Sequence, residues 1–331
     1  MSRNYLITGG AGFIGSHLVD ALLGRGDGVV VLDTLDTGRL ANLDRAGQHR
    51  NFRFVHGSVL DQQAVDDVVN ECDVVVHLAS PVGSKLILAH PLDSFRTNIR
   101  GSRIVIEAAH RYRRQLLLAS TSEIYGKNDE APLREASDRV LGPPTNARWA
   151  ASTASAVAEV LAYAYHHKRH LPVTVVRLFN TVGTRQSPVY GMVMPRLVRQ
   201  ALSGEPLTVF GSGRQTRCFC HVTDVVDGLL LLMDHPGAVG GVFNLGSPEE
   251  ISILELAQRV ATLIRSGSTI ELVPYEDAYA AGFEDVPRRV PDITLIRDLT
   301  GWQPRRTLDD ILTEIIAEAA AEEVTVSAGL V

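Results

Sequence analysis

Short β-branched runs alternate with stretches of helical period through the first half of the chain. "NYLIT" predicts a first strand, and Leu18, Leu22 and Leu23 give the segment from Ser16 to Leu23 an apolar helical face. "VVVLD" predicts strand two, "FRFVHGSVLD" contains strand three, and a Val-rich helix leads to "DVVVHLA" as strand four. "RIVIEAAHRY" is helical, "QLLLAST" is strand five, Trp149 to about Lys168 is a long helix and "PVTVVRLFN" is strand six. Strands alternating with crossover helices predict an α/β fold with a parallel sheet.

Beyond Asn180 the rhythm loosens into turns, one helix and short strands. In "SPEEISILELAQRVATLI", Ser247 or Ser252 precedes acidic residues and an apolar run, which predicts a capped helix. The expected organisation is a first domain over residues 1–180, with a returning segment near 218–246. A smaller lobe comprises 181–217 and 247–320, and "AEEVTVSAGLV", 321–331, is a disordered tail.

At 331 residues and 45% hydrophobic, the chain can bury a substantial core. Its net charge of −6, with scattered basic residues, argues against a nucleic-acid partner and leaves an anion held by a few Arg residues open. Three cysteines, Cys72, Cys218 and Cys220, fit a reducing compartment better than a disulfide framework. "CFCH" makes a poor metal site, because alternating strand residues point to opposite faces. The first apolar run leads directly into a Gly-rich turn, and no apolar stretch is long enough for a bilayer. A cytoplasmic protein without membrane contact is expected.

That turn, "TGGAGFIGSH", spaces Gly9, Gly12 and Gly15 as GxxGxxG between a strand and a helix. Glycine permits positive φ and lets a pyrophosphate approach the amides of the following helix. Asp33 ends strand two about 20 residues on, where a carboxylate meets an adenosine ribose. Asp33 is followed by Thr34 with no Arg beside it, so NAD is expected rather than NADP.

With "VLDTLDTGR", "HLASP", "STSEIYG", "VVRLFNTVGTRQ", "PLTVFGSGRQTRCFCHVTDVV", "VFNLGS" and "RRVPDITLIRDLTGWQP", the turn resembles the extended short-chain dehydrogenase/reductase family. The resemblance is to its sugar-nucleotide epimerases, dehydratases and decarboxylases, and it runs from Asn4 to about Ala317. It implies a doubly wound Rossmann-type sheet with a smaller C-terminal α/β substrate-binding lobe. It also implies an NAD site at Gly9, Gly12, Phe13, Ile14, Gly15, Asp33, Thr37, Gly38, Ser58, Val59, Leu78, Ala79, Ser80 and Asn98. For a UDP-sugar substrate it implies Asn180, Arg185, Val193, Thr208, Arg217 and Arg289, with Pro206 to Gly211 beside the uracil. A homodimer through the helices from Trp149 and from about Ile99 is implied as well.

Thr121, Ser122 and Glu123 end strand five with the tripeptide that resembles UDP-glucuronate decarboxylases, as does "HLASP". The tract "RLFNTVGTRQSPVYGMVMPRLVRQAL" resembles a branch rich in UDP-glucose 4-epimerases, so both readings stand, with the decarboxylase and UDP-glucuronate favoured. By resemblance Thr121 hydrogen-bonds the sugar near O4, and Glu123 manages protons near C5. Glu123 as a cap or salt-bridge partner is the structural alternative.

Family members carry Tyr and Lys four residues apart at the opening of the helix after strand five, on one helical face. In "RWAASTASAVAE" the Tyr position is Ala151 and the Lys position is Ser155. Trp149 and Thr153, one frame earlier, offer no base; Tyr125 belongs to its own loop, and Tyr163 and Tyr165 lie too far along. A positioned base contributes roughly 10²–10⁴ in rate, so severe impairment is expected. A deliberate double substitution, a relative that binds without catalysis, and altered chemistry through Glu123, Thr121 or water all fit this sequence.

Overall fold

A computed structural model describes residues 2–80, 91–187, 192–278 and 285–328. Part of "HLASP" (residue 81), part of the epimerase-like tract (188–191) and the last three tail residues lie outside them.

The chain opens with β1 (Asn4–Thr8), α1 (Phe13–Gly24), β2 (Gly28–Asp33), β3 (Phe52–His56), α2 (Gln62–Asn70) and β4 (Val74–His77). A short helix, Pro91–Phe95, passes through a π-helical turn, Arg96–Gly101, into α3 (Ser102–Arg111). There follow β5 (Gln115–Thr121), α4 (Ala150–Arg169), β6 (Val173–Leu178) and β7 (Thr181–Val182). The remainder comprises α5 (Val193–Leu202), β8 (Leu207–Phe210), β9 (Thr216–Cys218), β10 (Cys220–His221), α6 (Val222–Asp234), β11 (Val242–Leu245) and β12 (Glu250–Ser252). It ends with α7 (Ile253–Ile264), β13 (Ile270–Val273), α8 (Thr294–Thr300) and α9 (Leu308–Ala328).

Seven parallel strands form the main sheet in the order β11-β6-β5-β4-β1-β2-β3. The order reverses between β1 and β4, which opens a crevice at their carboxyl ends. Helices α1, α6 and α8 pack on one face around Leu18, Leu22, Val225 and Leu229. On the other face α2, α3 and α4 pack around Val65, Val105, Ile106 and Ala162.

The lobe has its own core, in which Met194 and Leu197 of α5 and Leu256 and Val260 of α7 meet Ile311 and Ile315 of α9. Ile293, Ile296 and Trp302, expected within that lobe, instead pack against the first core, and Trp302 Nε1 donates to the Asp224 carbonyl at 2.9 Å.

Local chemistry sets the helix ends. Ser252 caps α7, its hydroxyl accepting from the Glu255 amide while the Glu255 carboxylate accepts from the Ser252 amide. Ser247 accepts from the Glu249 amide in the preceding turn instead. Helix α1 begins at Phe13, earlier than the expected Ser16, so its first turn abuts the Gly-rich loop. Helix α9 remains helical to Ala328, past the point where a disordered tail was expected.

The "CFCH" stretch is two strands, not one: Cys218 pairs with β12, while Cys220 pairs with β7. All three cysteines are buried and unpaired, and burial pushes the Cys72 and Cys218 thiols up to about 12. Among the described residues, none of the helices is long and apolar enough to cross a membrane.

Candidate active site

One cavity of about 960 Å³ runs from the β1–α1 turn, past the end of β5, into the C-terminal lobe. Its cofactor end is shaped by close backbone approach. Gly9 holds φ +74°, and a Cβ there would lie 2.8 Å from the Ala79 amide nitrogen. A Cβ on Gly15 would lie 2.3 Å from the Gly9 carbonyl, so α1 docks only because that atom is missing. Gly12 caps α1 with no side-chain bond, which leaves the amides of its first turn facing the cavity.

The Asp33 carboxylate accepts from the Ala11 and Leu35 amides at 2.9 and 2.8 Å, which fixes it at the wall. This turn, open helix terminus and anchored carboxylate fit a dinucleotide. Phe13, Ile14, Thr37, Ser58, Val59, Leu78, Ala79, Ser80 and Asn98 share the same walls. Gly38 lies off them, packed against Ala11 and Asp33.

His77 stands in the wall at this end and is almost wholly buried. Its Nδ1 meets the Thr8 hydroxyl at 2.7 Å and its Nε2 the Ser102 hydroxyl at 3.1 Å. Burial lowers its pKa to about 4, so the ring is neutral at physiological pH.

At the waist stand Thr121, Ser122 and Glu123, opposite Ala151, Ser155 and Ala158, which occupy one face of α4. The Thr121 hydroxyl accepts from the Glu123 amide at 3.2 Å and retains its proton for a ligand. Glu123 lies between two guanidinium groups, 2.5 Å from Arg289 Nη1 and 2.7 Å from Arg148 Nη1. Burial acts to raise its pKa, but Arg289 and Arg148 outweigh burial and hold the carboxyl well below the usual carboxylate range. Glu123 is therefore an ionised salt-bridge partner, with no proton to give and little basicity.

Arg289 is 3% exposed, and its Nε and Nη2 have no hydrogen-bond partner among the described residues. A buried guanidinium left half satisfied at a cavity wall is suited to an anion.

In the lobe, Asn180 donates to the Cys218 carbonyl at 2.8 Å. Arg217 pairs with Asp285 at 2.6 Å, and the Tyr275 hydroxyl also donates to Asp285, at 2.7 Å. Phe210 lines this end with Val193, and the Arg196 guanidinium lies 3.9 Å from the Phe210 ring centroid.

Two expectations need revision here. Thr208 does not line the cavity, because it faces Gln200, whose amide it bonds at 3.0 Å; Phe210, two residues on, is the strand residue at the wall. Arg185 lines the cavity, yet its guanidinium is committed to Asp20 at 2.8 Å. Arg148 was not expected at the waist, and its place one turn before Ala151 was the available signal. Arg196, Tyr275 and Asp285 carried no local signal.

Tyr125 is excluded as a substitute base. Its hydroxyl donates to Asn244 at 2.6 Å and accepts from Arg177 at 2.9 Å, away from the cavity.

A doubly wound sheet whose crevice opens into a second lobe, with a dinucleotide cradle at one end, defines a cofactor-dependent nucleotide-processing enzyme class. The chain belongs to the NAD dependent epimerase/dehydratase family, whose sequence profile matches residues 5–246. It is 38% identical to a UDP-N-acetyl-alpha-D-glucosaminuronate decarboxylase of Bacillus cytotoxicus, over 96% of this chain and 97% of that one. It is likewise 38% identical to UDP-glucuronic acid decarboxylase 1 of Danio rerio, over 95% of this chain and 72% of that one. A UDP-glucuronic acid 4-epimerase from Bacillus cereus, solved with UDP-glucuronic acid and NAD, superposes with a TM-score of 0.85 at 26% identity, over 96% and 99% of the two chains.

Proposed function

We propose that this chain is a UDP-glucuronate decarboxylase-type protein that binds NAD and a UDP-linked hexuronate but turns over poorly. The observation that carries this reading is Thr121-Ser122-Glu123 at the waist of a single cavity, between a dinucleotide cradle and the C-terminal lobe. The two decarboxylases similar over nearly the whole chain support it.

Gly9, Gly12, Phe13, Ile14, Gly15 and Asp33 hold the cofactor in this reading, and NAD when bound supplies the oxidising centre for a sugar hydroxyl. The Thr121 hydroxyl donates to the sugar near O4. The free Nε and Nη2 of Arg289 and the neighbouring Arg148 guanidinium attract the anionic end of the sugar, while Glu123 neutralises part of their charge. No group at positions 151 or 155 accepts the hydroxyl proton. His77 is neutral but holds both nitrogens in hydrogen bonds, and Glu123 is too weak a base. These points favour impaired turnover over substituted chemistry.

The test is to make Ala151→Tyr with Ser155→Lys and supply UDP-glucuronate, UDP-glucose and UDP-galactose separately. Release of CO₂ from the first alone supports the decarboxylase; interconversion of the other two sinks it in favour of an epimerase. Rapid NADH absorbance from the unaltered chain with any UDP-sugar refutes the impairment.

A homodimer through α3 and α4 accompanies this reading, with Val157 and Val160 exposed on α4; light scattering that finds a monomer removes it. The three buried, unpaired cysteines accord with the cytoplasmic setting in this proposal.

A further inference from the structure

Arg185 holds φ +65°, in the left-handed region that a non-glycine residue enters at a cost. Such a conformation persists only where the surroundings over-determine it, and here they do so from three sides. The Arg185 amide donates to Glu318 of α9 at 2.9 Å. Its Nη2 reaches Asp20 of α1 at 2.8 Å, and its Nη1 reaches the Asn42 carbonyl at 3.4 Å. The Asn42 side chain in turn donates to the Ala11 carbonyl, inside the Gly-rich turn.

The neighbouring contacts run the same way: Thr184 bonds His17 of α1 at 3.2 Å, and His221 lies 3.2 Å from Glu314 of α9. Helix α9 then shares its core with α5, whose first turn, Val193 to Arg196, walls the lobe end of the cavity.

We propose that Arg185 is a positioning residue that clasps the cofactor helix α1 to the C-terminal helix α9, so that cofactor and nucleotide reinforce each other's binding. This proposal rests on the NAD and UDP-sugar reading above. A ligand that orders α1 restrains Arg185, and through α9 it restrains the wall formed by α5. A second ligand then meets a wall already ordered, which yields positive coupling.

Calorimetric titration of the whole chain with NAD, alone and at saturating UDP, measures that coupling. UDP is expected to tighten NAD binding by about fivefold or more. Arg185→Met and, separately, Asp20→Asn should each bring that ratio to about one, and Asp20 lies outside the cavity walls. A wild-type ratio near one overturns the clasp.

So does Asp20→Asn with coupling intact while Arg185→Met weakens UDP alone by about tenfold, which would make Arg185 a direct phosphate ligand. Failure of the wild-type chain to bind NAD or UDP defeats the functional reading and the clasp with it. Binding of both without coupling defeats the clasp alone.

Discussion

The Gly-rich turn and the opening of α4 face the same cavity, yet they differ in what their residues encode. In the turn the required feature is an absence: Gly9 and Gly15 fit because no Cβ intrudes, and backbone amides are left facing the cavity. At the opening of α4 the family resemblance implies two particular side chains, and the chain carries Ala151 and Ser155 instead. The helix forms all the same, with Ala158 and Ala162 packed against the sheet and Ala156 against Ile124 and Tyr125 after β5. Residues that shape a backbone are thus separable from residues that the proposed chemistry asks to carry a proton.

The largest expected effect breaks that contrast directly. Ala151→Tyr with Ser155→Lys should raise CO₂ release from UDP-glucuronate by roughly 10²–10⁴ over the unaltered chain. At the other region, Gly9→Ala introduces strain and a clash of about 1–3 kcal/mol, and NAD affinity measured by calorimetry should fall roughly 10- to 100-fold. UDP binding measured without NAD should hold, since Gly9 lies at the cofactor end of the cavity.

The waist offers a third comparison. Glu123→Gln leaves Arg289 buried without its counter-charge and should cost about 3 kcal/mol in thermal denaturation. Because the folded-state pKa of Glu123 is depressed, its stabilisation is present above its usual pKa of 4.5 and fades as pH falls below it. Acid denaturation of Glu123→Gln should lose that component.

His77 shifts the window upward. Its ring takes up a proton at about 6.5 when unfolded but only at about 4 when folded, so stability declines between those values as pH falls. His77→Gln should flatten that stretch of the stability curve without affecting the one below it. The smallest effect is Ser252→Ala, which removes the α7 capping box at about 1 kcal/mol and leaves both ligand sites untouched.

Most of the sheet was legible in the sequence because each strand is short, largely apolar and bounded by turn residues; "NYLIT" coincides with β1 and "QLLLAST" with β5. The cofactor end was legible for the same reason, since its glycines and Asp33 act within one strand–turn–helix unit. Thr208 was misplaced because strand alternation alone does not say which face meets a ligand; Gln200 of α5 holds that hydroxyl and leaves Phe210 at the wall. The lobe boundary missed residues 293–302, whose apolar positions suit either core.

The sequence by itself determined the strands of the sheet, the Gly-rich turn and the Ala-Ser opening of α4, because each is written in residues near one another along the chain. Only the tertiary structure decided the state of Glu123 and the commitment of Arg185. Glu123 meets Arg289 across 166 positions, and Arg185 meets Asp20 across 165. Charge pairing depends on distance in space, and no local pattern specifies which distant guanidinium arrives.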